Sequence, residues 1–218
     1  METGRRFKAS FILNILVVVL VFIGIRVMRN ANSDVLMANS WEVFKYFTFQ
    51  SNILMGIVAG IYAYFQWQIM HKKRDKIPHV LLVFNHVAVT AVGLTFVIVV
   101  AFLAPGYGFD KMYNNANLFY HALVPLTAII NFLFFEKEAK IKFRETLFAI
   151  IPSFAYGVVY FIVVASQNAY GDLSIDFYAF GKDGPFIGAL NFLAVMAIAY
   201  TFGLFLYFIN NLVFKKRK

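Results

Sequence analysis

Thr48 and His121 are the residues of this chain whose types and placement could break a bond. Both lie inside long apolar runs, where an ionisable group is a functional candidate by default. Lys45, Thr48 and Asn52 are spaced i, i+3 and i+7, so on a continuous helix they share one face. Counting helical rise from Trp41 puts Thr48 about 10 Å inside that interfacial residue. His121 enters about one turn from the start of its own run, at a similar depth. A hydroxyl and an imidazole at one level are the minimum pair for nucleophilic catalysis. The imidazole takes the hydroxyl proton, and Oγ attacks a carbonyl to form an acyl-enzyme. Ser51, Asn52 and Asn117 are candidates to hold an oxyanion or orient the ring, and Lys45 to grip an acidic substrate group. No Asp or Glu sits at that depth, so the third member of a triad is missing. The same residues also have a plainer reading. Thr and Asn hold neighbouring helices together in membranes, and a lysine near a helix end snorkels to the interface.

The elements that must position this pair are six apolar runs: 11–27, 44–67, 79–104, 118–135, 147–166 and 186–214. Each is near or above the ~20 residues a helix needs to cross ~30 Å of hydrocarbon. Hydrophobic residues make up 61% of the chain and mean hydropathy is +0.70, far from a soluble domain. The runs are continuously apolar and too long for the ~10-residue alternating strands of a membrane barrel. The expectation is an all-α, polytopic six-helix domain spanning 1–218. Fifteen of the twenty Lys and Arg fall in four clusters: Arg5, Arg6, Lys8; Lys72, Lys73, Arg74, Lys76; Lys137, Lys140, Lys142, Arg144; and Lys215 to Lys218. They occupy alternate loops and both ends, which puts both termini in the cytoplasm by the positive-inside rule. The net charge of +9 is therefore a topology signal and implies no nucleic acid. Read as a signal peptide, the first run is long for an h-region, and its cleavage candidate Ala31-Asn32-Ser33 is poor. It is expected to stay as the first helix.

The remaining motifs favour structural readings. Gly56-Ile-Val-Ala-Gly60 is a small-xxx-small stripe, expected to let a helix of the same molecule approach. Gly106-Tyr107-Gly108 resembles a potassium filter in composition but follows Leu103-Ala104-Pro105 between two full crossings, so a turn is expected. His86 and His121 differ in depth by well over 10 Å on helical rise, too far to clamp one haem iron. His86 and Asn85 are expected to bond between helices. There is no cysteine, and no phosphate loop or zinc-protease pair, so no cofactor or metal is expected.

The aromatic-rich Lys45-x-x-Thr48-Phe49 core within Phe44–Gln50, followed by Asn117-x-x-x-His121-x-x-x-Pro125, resembles the two signature regions of the androgen-induced-protein family. Its members are multi-spanning intramembrane hydrolases that cleave fatty acid esters of hydroxy fatty acids with a threonine nucleophile and a histidine. The resemblance covers the helix order and two short motifs, about a third of the chain. It implies Thr48 as nucleophile and His121 as its partner. The Gln50-Ser51-Asn52 continuation and the His121 to Pro125 spacing differ from the animal enzymes and imply a small bacterial-type branch. The resulting expectation is a lipid-ester hydrolase acting near the outer leaflet of the cell membrane, with membrane lipids as substrate. The competing expectation is a small transporter or a lipid- or solute-binding protein that uses the same polar cluster without chemistry.

Overall fold

The computed structural model describes residues 2–30, 40–136 and 140–215, without the side chains at 2, 3, 30, 40, 41 and 213–215. Helices dominate, and there is no strand among the described residues. Six of them are long and apolar enough to cross a membrane: α1 (Glu2–Asn30), α2 (Phe47–Met70), α3 (His79–Tyr107), α4 (Ala116–Phe135), α5 (Phe143–Ser166) and α6 (Pro185–Lys215). In hydrocarbon a helix satisfies its backbone internally, which is why continuously apolar runs resolve this way. The chain is thus a multi-pass membrane protein.

Two helices widen at corresponding places. α3 passes through a π turn at Val99–Leu103, and α4 through one at Phe119–Leu123. Each turn stops two residues before a proline, Pro105 and Pro125. Proline has no N–H to give the carbonyl four residues back and its ring crowds that turn, so the helix relaxes to a wider pitch there. In α4 that carbonyl belongs to His121.

Two starts differ from the sequence expectation. The second run begins with a separate 3-10 turn, Ser40–Lys45, and Tyr46 is extended (φ −90°, ψ 131°) before α2 starts at Phe47. Lys45 therefore does not continue the α2 face that carries Thr48 and Asn52. The cause is tertiary, because the Tyr46 ring leaves the helix line to pack edge-on against Phe177 and Tyr178. The fifth run starts as a 3-10 segment, Phe143–Ile150, and becomes α-helical from Ile151, with Pro152 in its first turn.

α3 is the central helix: 61% of its most apolar window is buried, against 17% for α6. Val17 and Val21 of α1, Met55 and Ala59 of α2, Val89 and Val92 of α3, Val124 and Ala128 of α4 and Leu206 of α6 meet in one core. Ile12, Phe22, Ile57, Phe84, Val159, Ile162 and Leu193 point outward, as lipid-facing side chains should. Between helices in lipid the attraction is close packing and not escape from water, so small residues matter. A Cβ on Gly56 would stand 3.3 Å from Val21, and one on Gly60 3.6 Å from Val18. The stripe is where α1 lies on α2, as expected. A Cβ on Gly93 would fall 1.9 Å from the Phe202 ring, so α6 seats an aromatic directly on the α3 backbone.

The connections at one end of the bundle (40–46, 108–115 and 167–184) carry most of the non-helical structure among the described residues; the basic stretches at 5–8, 72–76 and 140–144 lie toward the other. Gly106-Tyr107-Gly108 is not a turn throughout as expected: Gly106 and Tyr107 are the last helical residues of α3, and Gly108 alone leaves the helix at φ +99°, a conformation glycine alone adopts without strain. The 167–184 connection is folded around the buried Asp176. Its carboxylate accepts N–H groups from Gly171 (2.9 Å), Phe180 (3.0 Å) and Gly181 (2.8 Å) and the Tyr160 hydroxyl. One short side chain thereby ties a long connection to α5. A Cβ on Gly181 would meet the Asp176 carboxylate at 2.9 Å, so this close approach needs glycine.

Candidate functional site

His121 sits in the π turn of α4 and is 8% exposed. Its Nδ1 lies 2.7 Å from the Met112 carbonyl oxygen. A carbonyl can only accept, so Nδ1 carries the proton in the neutral ring. Nε2 is left with its lone pair, the tautomer a general base requires. Asn117, one turn earlier, donates Nδ2 to the Lys111 carbonyl at 3.0 Å. Two consecutive carbonyls of the α3–α4 connection are therefore gripped by two residues of one α4 face. Asn117 thus holds the carbonyl next to the one that His121 uses.

Thr48 occupies the first turn of α2 and is half-buried. Its Oγ1 makes no hydrogen bond among the described residues. Thr90 and Thr127 each bond to the carbonyl four residues back, at 2.8 and 2.7 Å, the usual way a membrane helix satisfies a hydroxyl. For Thr48 that carbonyl is Phe44 O, which lies before the break at Tyr46 and accepts the Gln50 side chain at 2.6 Å. The break that displaces Lys45 thus also leaves the Thr48 hydroxyl unused. The peptide N–H groups nearby are largely committed: Phe47 N donates to Tyr178 Oη at 3.0 Å, and Phe49 N and Gln50 N donate to Tyr46 O.

Asn52 is fully buried and joins the two halves of the site. Its Nδ2 donates to Thr48 O (2.7 Å) and to Tyr120 O (3.1 Å); Tyr120 is the neighbour of His121 in sequence. The backbones that carry the hydroxyl and the imidazole are thereby held side by side. Ser51 Oγ bonds to Thr48 O at 3.1 Å and pairs with Thr95 Oγ1 of α3 at 3.3 Å. The donor groups of Asn52, Ser51 and Asn117 all serve these helix contacts. No hydrogen bond joins Thr48 to His121. Lys45 pairs with Glu42 at 3.7 Å and lies 5.3 Å from the centre of the Phe177 ring. The Trp41 side chain, from which depth was counted, lies outside the described residues.

Between α2 and α5 is a cavity of about 610 Å³ that Lys45 and Ser51 line and that Thr48 and His121 do not. Phe44, Phe47, Leu54, Ala155, Val159 and Val163 supply apolar wall, and Lys45, Gln50, Ser51 and Tyr156 supply polar points. Phe177 and Ile175 from the Asp176-centred connection close part of it. Tyr156 donates its hydroxyl to Lys45 O, so α5 also holds the 3-10 turn in place. An apolar slot with few polar points is the shape of a small-molecule or acyl-chain site.

Sequence reasoning missed two groups. Asp176 stood in a connection whose fold was not legible. The second is a cluster toward the basic end. Glu136, 6% exposed, accepts Asn14 Nδ2 (3.2 Å), Asn131 Nδ2 (2.8 Å) and Asn85 Nδ2. Gln66 accepts Asn14 Nδ2 at 3.1 Å and donates to Ser10 Oγ at 2.9 Å. The available signal was one polar residue at the same end of each of four runs, with a carboxylate closing the fourth. The expectation for Asn85 holds, since it bonds between helices. That for His86 does not: it is fully buried against Phe132, with ring centres 5.5 Å apart, and neither ring nitrogen has a partner. Its position on α3 turns it to an aromatic wall, away from the amides. No protein-family model, curated protein or solved structure matches the chain.

Proposed function

We propose that this protein is an intramembrane lipid-ester hydrolase, with Thr48 as nucleophile and His121 as base and then acid. The observation that carries the reading is the unbonded Thr48 hydroxyl, tied through Asn52 to the turn holding an imidazole whose Nδ1 is already engaged. The acyl chain of the substrate lies in the α2–α5 cavity, with Lys45 at hand for an acidic group. As substrate enters, Thr48 Oγ1 attacks the ester carbonyl carbon while His121 Nε2 takes its proton. Collapse breaks the ester C–O bond, and the imidazolium returns that proton to the departing alcohol. Water, deprotonated by the same nitrogen, then attacks the acyl-enzyme, releases the acid and restores the hydroxyl. Hydroxyl and imidazole must close on one another in the complex, as catalytic hydrogen bonds often do. The Thr48 N–H, in the first turn of α2 where amides lack intrahelical acceptors, is the donor for the oxyanion. The positive-inside pattern supports cytoplasmic termini and cytoplasmic loops at 68–77 and 136–145, and so an outer-leaflet site in the cell membrane.

A second reading is favoured by the absent Thr48–His121 hydrogen bond: the cavity binds a lipid or solute, or passes it on, without chemistry. One experiment separates the two. Purified protein is incubated with a panel of lipid esters beside Thr48→Ala. Cleavage by the parent alone supports the hydrolase; equal cleavage, or none by either, leaves binding.

A further inference from the structure

We infer that the basic end of α2 is a binding site for one anionic phospholipid of the surrounding bilayer, apart from the Thr48–His121 site. Ile57, Ile61, Tyr64, Trp67 and His71 fall at i, i+4, i+7, i+10 and i+14 of α2 and its cap, so they form one stripe, and all five are exposed. From Ile57 to Trp67 the helix rises about 15 Å, half the hydrocarbon thickness of a bilayer. The stripe passes from apolar side chains to Tyr64 and Trp67, whose rings stack 6.4 Å apart, at the level tryptophan favours near headgroups. It ends on a histidine followed by Lys72, Lys73, Arg74 and Lys76. That is the order in which a phospholipid presents its chain, its ester region and its phosphate.

The end of α2 fixes the cations beside this stripe. Lys72 N donates to Ile69 O at 3.0 Å and Lys73 N to Gln68 O at 2.9 Å, the paired bonds of a Schellman end. Lys72 stands at φ +56°, where such ends usually carry glycine. The chain reverses there and lays the next two side chains back along the helix. Lys73 Nζ lies 4.7 Å from the centre of the Trp67 ring, and Arg74 Cζ 4.7 Å from that of Phe65. A ring face holds a cation in place without neutralising it. Carboxylates leave it charged as well: Asp75, the one acidic residue in 72–76, forms no ion pair among the described residues, and four cations outnumber it. Glu145, at the start of α5, is taken by His79 and by the Lys142 N–H. Positive-inside placement asks only that such charges stay on one side of the membrane; it does not ask that two of them fold back onto the rings of an exposed helix. Phosphate suits them, because a guanidinium offers it paired N–H donors and an ammonium a compact charge. A free anion would meet the cations and leave the stripe unused, so the occupant is a lipid.

Trp67 is the reporter, since the chain has two tryptophans and Trp41→Phe leaves it alone. Purified full-length protein of that background, in neutral detergent, is titrated with phosphatidylglycerol or with phosphatidylcholine carrying identical brominated chains, and quenching of Trp67 is followed. Half-quenching by phosphatidylglycerol is expected at a mole fraction roughly fivefold or more below that for phosphatidylcholine, a gap that narrows as salt rises. Lys73→Gln combined with Arg74→Gln, both on exposed side chains, should bring the two lipids together and leave the phosphatidylcholine curve in place. The chain with both tryptophans should also melt at a higher temperature in phosphatidylglycerol than in phosphatidylcholine, a difference that the double variant loses. An excess of inorganic phosphate at matched ionic strength should not reverse quenching by phosphatidylglycerol. Equal quenching by the two lipids would reduce the stretch to a topology signal and overturn the inference. A preference that survives in the double variant would do the same, as would reversal by inorganic phosphate, which would make the occupant a free anion. Quenching is read without any ester cleavage, so its outcome stands apart from that of the Thr48→Ala test.

Discussion

The Thr48–His121 site and the Glu136 cluster are both polar islands in the bundle, yet they spend their hydrogen bonds in opposite ways. Around Thr48 and His121 the side-chain donors go mainly to backbone carbonyls: Asn52 to Thr48 and Tyr120, Asn117 to Lys111, His121 to Met112. That leaves a hydroxyl and a ring nitrogen without protein partners. Around Glu136 the side chains bond to one another, and the Oδ1 atoms of Asn14, Asn85 and Asn131 are left without a partner. The first arrangement leaves a hydroxyl and a ring nitrogen unbonded on a rigid backbone. The second concentrates amide donors on one carboxylate. Which polar groups stay unbonded is thus set by where the donors go and not by how many polar residues are present.

The largest expected break in this comparison is Thr48→Ala. Ester cleavage should fall by about 10³-fold or more, some 4 kcal/mol of barrier. The thermal midpoint should hardly move, because Oγ1 has no protein partner to lose. His121→Ala and the double variant should reach a similar floor of cleavage, as residues acting together do. An additive double variant would show that they do not act as a unit.

Glu136→Ala should give the reverse pattern. It strips one acceptor from three buried amides, so unfolding free energy should drop by about 3 kcal/mol or more. Turnover per folded molecule should be retained. Loss of turnover with stability intact would place Glu136 in the reaction and merge the two sites.

Asp176→Ala sharpens the comparison from a third place. Without the carboxylate, the N–H groups of Gly171, Phe180 and Gly181 lose their acceptor. The 167–184 connection should open locally at a cost of about 2 kcal/mol. Faster amide exchange confined to this connection is the expected result, with a raised KM because Phe177 and Ile175 wall the cavity. The smallest effect belongs to Lys45→Met. A several-fold rise in KM for acidic lipids, with neutral esters spared, marks a substrate contact. An equal loss on both marks an anchor for the 3-10 turn.

Much of the fold could be read from composition and spacing, for a plain reason. Length and continuous hydropathy decide whether a segment crosses a bilayer, and each of the six runs carries that information by itself. Helix ends were less legible because long-range contacts set them. α2 begins at Phe47 because Tyr46 packs into aromatics 131 and 132 positions further along the chain, and a window on 44–52 contains none of that. The π turns at 99–103 and 119–123 had a local signal in Pro105 and Pro125, though proline announces a disturbed helix without specifying how it relaxes, and the third, Asn131–Phe135, had none. Gly56 and Gly60 were legible as a packing stripe; that α1 is the helix lying on them was not.

Residue types alone determined that the polar groups sit in apolar spans, and that Thr48 and His121 are a hydroxyl and an imidazole each near one end of its run. Only the tertiary structure decided which of them have partners. The carbonyl behind Thr48 is taken by Gln50, the Nδ1 of His121 is fixed by a connection before α4, and Asn52 bridges the two backbones. It likewise decided that Asn14, Asn85 and Asn131, scattered over 118 positions of the chain, converge on one carboxylate. A hydrogen bond depends on two positions and a direction, and a sequence fixes the donor and acceptor types without fixing which helices stand next to one another.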